Sequence, residues 1–179
     1  MKPIQINQAA FVSVDNTRTF EDKSLNELYV TGGELAARGS KEASDLCATY
    51  GMTLVNVLEK HPKGHVSFAS SYHDKKPRET ITRDEVQDRT EEDNGLSDQA
   101  TFTVDELKSF LSEKQSQTLR PDHAVDETEG VELMEPLAEE LFDMTIVKGT
   151  KSGREAYSGF DGTTLDEELK QRNINQIFI

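Results

Sequence analysis

The chain has 179 residues, 34% of them hydrophobic and 30% charged, with a formal net charge of -14 at pH 7. That excess of carboxylates excludes a sequence-independent grip on nucleic acid or on an anionic membrane surface, since both need clustered Lys and Arg. No window approaches the roughly 20 apolar residues of a membrane span, and a single cysteine, Cys47, excludes an internal disulfide. The length suits one domain over 1–179. The start Met1-Lys2-Pro3-Ile4-Gln5 lacks an apolar signal core, which makes a cytoplasmic location the default expectation.

After a polar leader, Ala9-Ala10-Phe11-Val12-Ser13-Val14-Asp15 is an apolar run closed by a carboxylate, the pattern of a buried strand with its functional end at Asp15. Taken alone, Asp15 reads as a turn or cap residue. A loop over 16–33 carries Phe20. A helix is predicted from about Glu34 to Tyr50, with Leu35, Ala36, Ala43, Leu46, Cys47 and Tyr50 on its packed face and Gly51 as its stop. On that face Cys47 is a core residue rather than a nucleophile.

The run Thr53-Leu54-Val55-Asn56-Val57-Leu58 predicts the second strand, parallel to the first through a right-handed helical crossover. It ends in Glu59-Lys60-His61-Pro62-Lys63-Gly64-His65, where Glu59 and His61 point the same way on extended backbone. His65 joins them only if Pro62 to Gly64 turns. Carboxyl ends of parallel strands are where ligands bind in open α/β sheets, so Asp15 and Glu59 fall at one functional edge.

Residues 73–117 carry charge of both signs and few large apolar groups, and they read as a solvated insertion. One helix is predicted inside it, over about 104–114, from the capping box at Thr103 and Glu106 followed by Leu107, Phe110 and Leu111. Pro121-Asp122-His123 is a turn bearing a histidine. Met144-Thr145-Ile146-Val147-Lys148 repeats the pattern of a strand ending in charge, and burying three such charges at one edge favours mutual pairing. The loop Tyr157-Ser158-Gly159-Phe160 suits a pocket wall. Thr164 and Glu167 form a second capping box opening a helix to about Arg172, and Asn175 to Ile179 starts a further apolar strand.

In order and spacing these motifs resemble the isochorismatase-like cysteine hydrolases, and within them the nicotinamidase/pyrazinamidase group. Val12-Ser13-Val14-Asp15 with Phe20 is similar to that family's first strand and catalytic aspartate, and His61-Pro62 with His65-Val66-Ser67-Phe68 to its metal motif. Pro121-Asp122-His123-Ala124-Val125 resembles the segment supplying a later histidine. Val147-Lys148 with Glu155-Ala156-Tyr157-Ser158-Gly159-Phe160 resembles its catalytic lysine and pocket loop.

The resemblance implies an α/β, three-layer (αβα) fold around a parallel sheet, lacking its C-terminal unit. It implies hydrolysis of nicotinamide to nicotinic acid and ammonia in NAD salvage, with Asp15 as base and Lys148 as the cation beside the nucleophile. Glu59, His61 and His123, with His65 as an added or outer ligand, would hold a divalent metal (Zn, or Fe or Mn). Phe20 and Tyr157 would meet the small-molecule amide substrate. The nucleophilic cysteine is expected beyond Ile179, or on a second chain. A homo-oligomer stays open, as do two alternatives: a non-catalytic metal-binding or interaction protein of the same fold, and a hydrolase of another small amide or an enol ether. Two departures stand out. Glu59 takes the place of the usual Asp, and polar residues near Thr17 and Thr19 replace an expected aspartate and glutamine.

Overall fold

The computed structural model describes residues 5–179, so Met1–Ile4 of the leader lie outside it. In chain order the elements are β1 (Ala9–Val14), α1 (Arg18–Glu21), α2 (Gly33–Thr49), β2 (Thr53–Glu59), β3 (Thr80–Thr82), α3 (Arg83–Val86), α4 (Val104–Lys114), β4 (Ser116–Thr118), β5 (Met144–Lys148), α5 (Leu165–Gln171) and β6 (Gln176–Phe178). They form two compact units. One contains the described residues up to Glu59 together with Glu129–Lys148 and Ala156–Ile179; the other is Lys60–Thr128 with Gly149–Glu155.

The first unit is built on a four-stranded sheet in the order β5-β2-β1-β6, with every pairing parallel. Alternation along the strands divides its faces. Ala10, Val12, Val55, Val57 and Ile146 pack with Leu165, Leu169 and Ile174 on the α5 side. Phe11, Ser13, Leu54 and Asn56 alternate to the opposite side, where Ser40 of α2 donates to Ser13 Oγ at 3.0 Å. Helices on both faces of a parallel sheet give the expected three-layer α/β arrangement.

The helix predicted over 34–50 is present as α2, and Gly51 at φ +74° ends it. Its orientation differs from expectation. Gly33, Ala37 and Ser44 are buried, while Leu35, Leu46 and Tyr50 are exposed and Cys47 is half-buried. The contact with the sheet is made through small residues, which let the backbone approach closely, so a stripe chosen by hydrophobicity falls on the wrong face. The capping box expected at Thr164 also fails to form: its side chain makes no cap bond.

The second unit corrects the reading of 73–117 as solvated. Ile81, Val86, Leu96, Phe102, Val104, Leu107, Phe110 and Leu111 join Val66, Ala69, Tyr72 and Leu119 in a buried core. The large apolar residues are sparse but spaced so that each faces inward, and composition alone hides that. β3 and β4 pair antiparallel, and α4 starts at the predicted capping box: Glu106 N–H donates to Thr103 Oγ1 at 3.2 Å while Thr103 N–H donates to Glu106 Oε2 at 2.8 Å. Thr103→Ala is expected to lower stability by about 1 kcal/mol, read from the urea midpoint; an unchanged midpoint would show that packing alone fixes the start of α4.

Candidate functional site

Three charged groups from separate strands meet in the first unit. Glu59 and Lys148 are register partners across β2 and β5, and Lys148 Nζ donates to Glu59 Oε1 at 2.7 Å. Asp15 follows β1, held there by its N–H donating to Val57 O at 2.9 Å. Its backbone turns left-handed, φ +55°, and its Oδ2 lies 3.2 Å from the same ammonium. Lys148 is 3% exposed, and burial by itself would lower its pKa; the charges of Glu59 and Asp15 outweigh that and raise it. The ammonium is therefore held charged between two carboxylates. Phe20 sits half-buried on α1, and Tyr157 is exposed on the loop after Ala156.

Beside this cluster, β6 pairs with Ala9–Phe11 of β1. The flank of the remaining β1 residues borders a cavity of about 360 Å³ whose lining includes Phe11, Ser13, Asn16, Gly39, Ser40 and Ile179. Asp15 of the ion cluster thus follows directly on a strand that borders this cavity.

The second unit gathers the histidines. Its segments 61–69 and 120–126 are laid together by backbone bonds: His61 N–H to Ala124 O, Asp126 N–H to His61 O, and Arg120 N–H to Ser67 O, each 2.8 Å. Lys60 pairs with Asp126 at 3.0 Å and holds its carboxyl below the usual range. The chain does turn between Pro62 and His65. Gly64 has φ +69°, and a Cβ there would lie 1.7 Å from the carbonyl oxygen of Gln99, so only glycine fits. The turn stacks the His65 ring on that of His61 at 4.1 Å, with the His123 ring 5.1 Å from His61 and Phe68 closing edge-on against His61 and His65 and tilted against His123. His61, His65 and His123 are all buried.

The orientation of two of these rings follows from what they face. His61 Nδ1 lies 3.0 Å from Gly149 O and His123 Nδ1 2.8 Å from Pro121 O. A carbonyl only accepts, so in both rings Nδ1 carries a proton and donates it. Metal-ligating histidines are commonly fixed in this way, through one ring nitrogen on a backbone carbonyl. The chemistry of the donor set therefore fits a divalent metal.

Glu155 escaped the sequence reading. It is 4% exposed and stands with His61 and His65 so that one ligand atom of each lies within 4.8 Å of the other two. Nothing in Thr150-Lys151-Ser152-Gly153-Arg154-Glu155 marks it, since a carboxylate in a polar run normally faces water. Glu21 was missed for the same reason. It is 5% exposed on α1, and burial together with the nearby Glu34 pushes its pKa up to about 7.

No protein-family model matches the chain, and no curated protein sequence does. Solved structures do. The pyrazinamidase of Pyrococcus horikoshii in complex with zinc aligns with TM-score 0.61 and 22% identity over 95% of this chain and 68% of its own. The nicotinamidase pyrazinamidase of Acinetobacter baumanii aligns with TM-score 0.68 and 22% identity over 96% and 69%. The yeast nicotinamidase aligns with TM-score 0.68 and 22% identity over 94% and 72%. At this identity the likeness establishes a shared fold. No helix among the described residues is long and apolar enough to cross a membrane.

Proposed function

We propose that the chain is the ion-bearing portion of a cysteine hydrolase that cleaves a small linear amide of the nicotinamide type, yielding nicotinate and ammonia in NAD salvage. The observation that carries this reading is the Lys148 ammonium held by Asp15 and Glu59 at the carboxyl ends of parallel strands. In such a reaction Asp15 takes the proton of the attacking thiol and delivers it to the departing ammonia. Lys148 holds the thiolate and the negative charge that develops on the amide oxygen. Phe20 and Tyr157 are the side chains proposed to meet the substrate ring.

His61 and His123, with Glu59 two residues before His61 and His65 four residues after it, are the proposed holders of a divalent ion. Imidazole and carboxylate donors suit Zn²⁺, Fe²⁺ or Mn²⁺. Such an ion, when bound, supplies a Lewis-acidic anchor for a ring nitrogen. The histidines and Phe68 supply a dry wall around it.

Cys47 is not the thiol. It lies at the end of α2, before β2, whose seven residues put roughly 20 Å of extended chain between Thr53 and Glu59. Burial also pushes its pKa up, away from the thiolate. Cys47 is the single cysteine in the sequence, so the proposed reaction takes its thiol from another segment or chain. With Zn²⁺ present, the purified chain is expected to bind nicotinamide by calorimetry and to release no ammonia from it. Absence of binding would remove the substrate class; ammonia release that Cys47→Ser abolishes would restore Cys47 as nucleophile.

A further inference from the structure

We propose that β6 is a self-association edge, at which two copies of this chain pair their Gln176–Phe178 strands antiparallel about a two-fold axis and join their sheets into one. The pairing is independent of any chemistry at Lys148, and three observations carry it.

The first is position. In the order β5-β2-β1-β6, β6 has β1 on one side and no strand on the other among the described residues. An edge strand turns every second backbone N–H and C=O away from its sheet, and those groups accept a further strand. The side chains there are uncovered as well: Ile177 is 38% exposed, Phe178 39% and Ile179 82%. Ile177 is the register partner of Ala10 and Phe178 of Phe11, so the two leave on opposite faces of the sheet. Apolar side chains are thus available for cross-strand pairs on both faces of a joined sheet.

The second is composition. Folded proteins protect a free edge with charge, proline or a bulge. The stretch Asn173-Ile174-Asn175-Gln176-Ile177-Phe178-Ile179 has neither charge nor proline, and its Ile and Phe residues are strong strand formers. The opposite edge strand, β5, is preceded by Glu139, Glu140 and Asp143 and ends in Lys148. One edge is marked against pairing and the other is open to it.

The third is charge, which selects the occupant. An uncharged apolar strand gives a charged partner nothing to pair with; the strand it matches is one of the same composition, and a second copy supplies it. Copies of a chain with net charge -14 repel one another at long range, so they meet most favourably where the meeting segments add no carboxylates. A two-fold axis lays identical strands antiparallel and closes the assembly at two copies, since each copy has one such edge. The contact falls at the small end of specific interfaces, so a dissociation constant in roughly the micromolar range is expected.

Sedimentation velocity of the full chain is expected to show the mass of two copies as concentration rises through the micromolar range, with added NaCl tightening the association by screening the repulsion between copies. Ile177→Lys and Phe178→Lys, each placing a charge on the edge and each checked for unchanged circular dichroism, are expected to weaken it at least tenfold. Leu46→Lys, on the exposed side of α2, is expected to leave it unchanged. Amide hydrogen exchange of the unsubstituted chain, which depends on no variant folding, is expected to slow over 176–179 as concentration rises. The mass of one copy at every concentration overturns the proposal, as do assemblies that grow beyond two copies, an association that NaCl weakens, or a dimer whose β6 amides exchange at a rate independent of concentration. A dimer broken by Leu46→Lys but by neither β6 variant places the contact on α2 and overturns it too.

Discussion

Replacing Lys148 by methionine is expected to lower the stability of the chain by about 3–5 kcal/mol, the loss typical when one partner of a buried charge cluster is removed. The side chain is 3% exposed and Glu59 is 8% exposed, so the substitution leaves a carboxylate out of water with its nearest cation gone. Removing both charges, in Lys148→Met with Glu59→Gln, is expected to recover part of the loss, because a neutral amide tolerates burial better than an unpaired carboxylate. The measurement is urea unfolding of the three proteins at neutral pH. A single variant within about 1 kcal/mol of the unsubstituted chain would show that the ammonium does not hold the strand ends together.

The pH dependence of that contribution has a definite sign. The folded pKa of Lys148 is raised above its ordinary value. Its stabilising effect is therefore fully present below the ordinary lysine range and is lost only as pH climbs through the higher folded value. Neutral and mildly alkaline solutions leave it intact.

Glu21 also loses stability with rising pH, but within a more accessible range. Its Oε2 is buried with no hydrogen-bond partner among the described residues, and its side chain is pressed against the backbone of Gly33, where a Cβ would lie 2.7 Å from Glu21 Cγ. Burial and Glu34 raise its pKa from 4.5 to about 7. The folded state thus favours the protonated acid, and stability present below the ordinary carboxylate value is lost as pH rises toward 7. At 1.36 kcal/mol per pKa unit the loss amounts to about 3 kcal/mol above pH 7. Glu21→Gln removes the titration, so at pH 8 the variant is expected to exceed the unsubstituted chain by up to about that amount, with the gap closing below pH 4.5. Parallel stability curves for the two proteins from pH 4 to 8 would show that Glu21 is ionised at no cost in the fold.

How far the sequence could be read depended on whether a residue's signal was local. Ala9–Val14, Thr53–Glu59 and Met144–Lys148 announce themselves as strands because a fully buried parallel strand is apolar along its whole length. Their shared direction follows from the crossover rule, and that was enough to bring Asp15, Glu59 and Lys148 to one edge. The return of His65 to His61 was conditional on a turn, and Gly64 supplied it. The face of α2 could not be read: Gly33, Ala37 and Ser44 carry no hydrophobic signal, and the choice between them and Leu35, Leu46 and Tyr50 is made by the sheet beneath. Glu155 and Glu21 were hidden for the same reason, since burial of a carboxylate is decided by what folds over it. The core of 66–119 was obscured by the charged residues that surround its evenly spaced apolar ones.

The left-handed backbone at Asp15 limits what mutagenesis at this position can report. At φ +55° a β-carbon is tolerated well only when the side chain is short and polar, with asparagine and aspartate the common occupants besides glycine. Alanine or glutamate at 15 would therefore change backbone conformation and carboxylate placement together, and a loss of function could not be divided between them. Asparagine keeps the shape and removes only the ionisable oxygen, which makes it the one replacement whose kinetic effect isolates proton transfer from chain geometry.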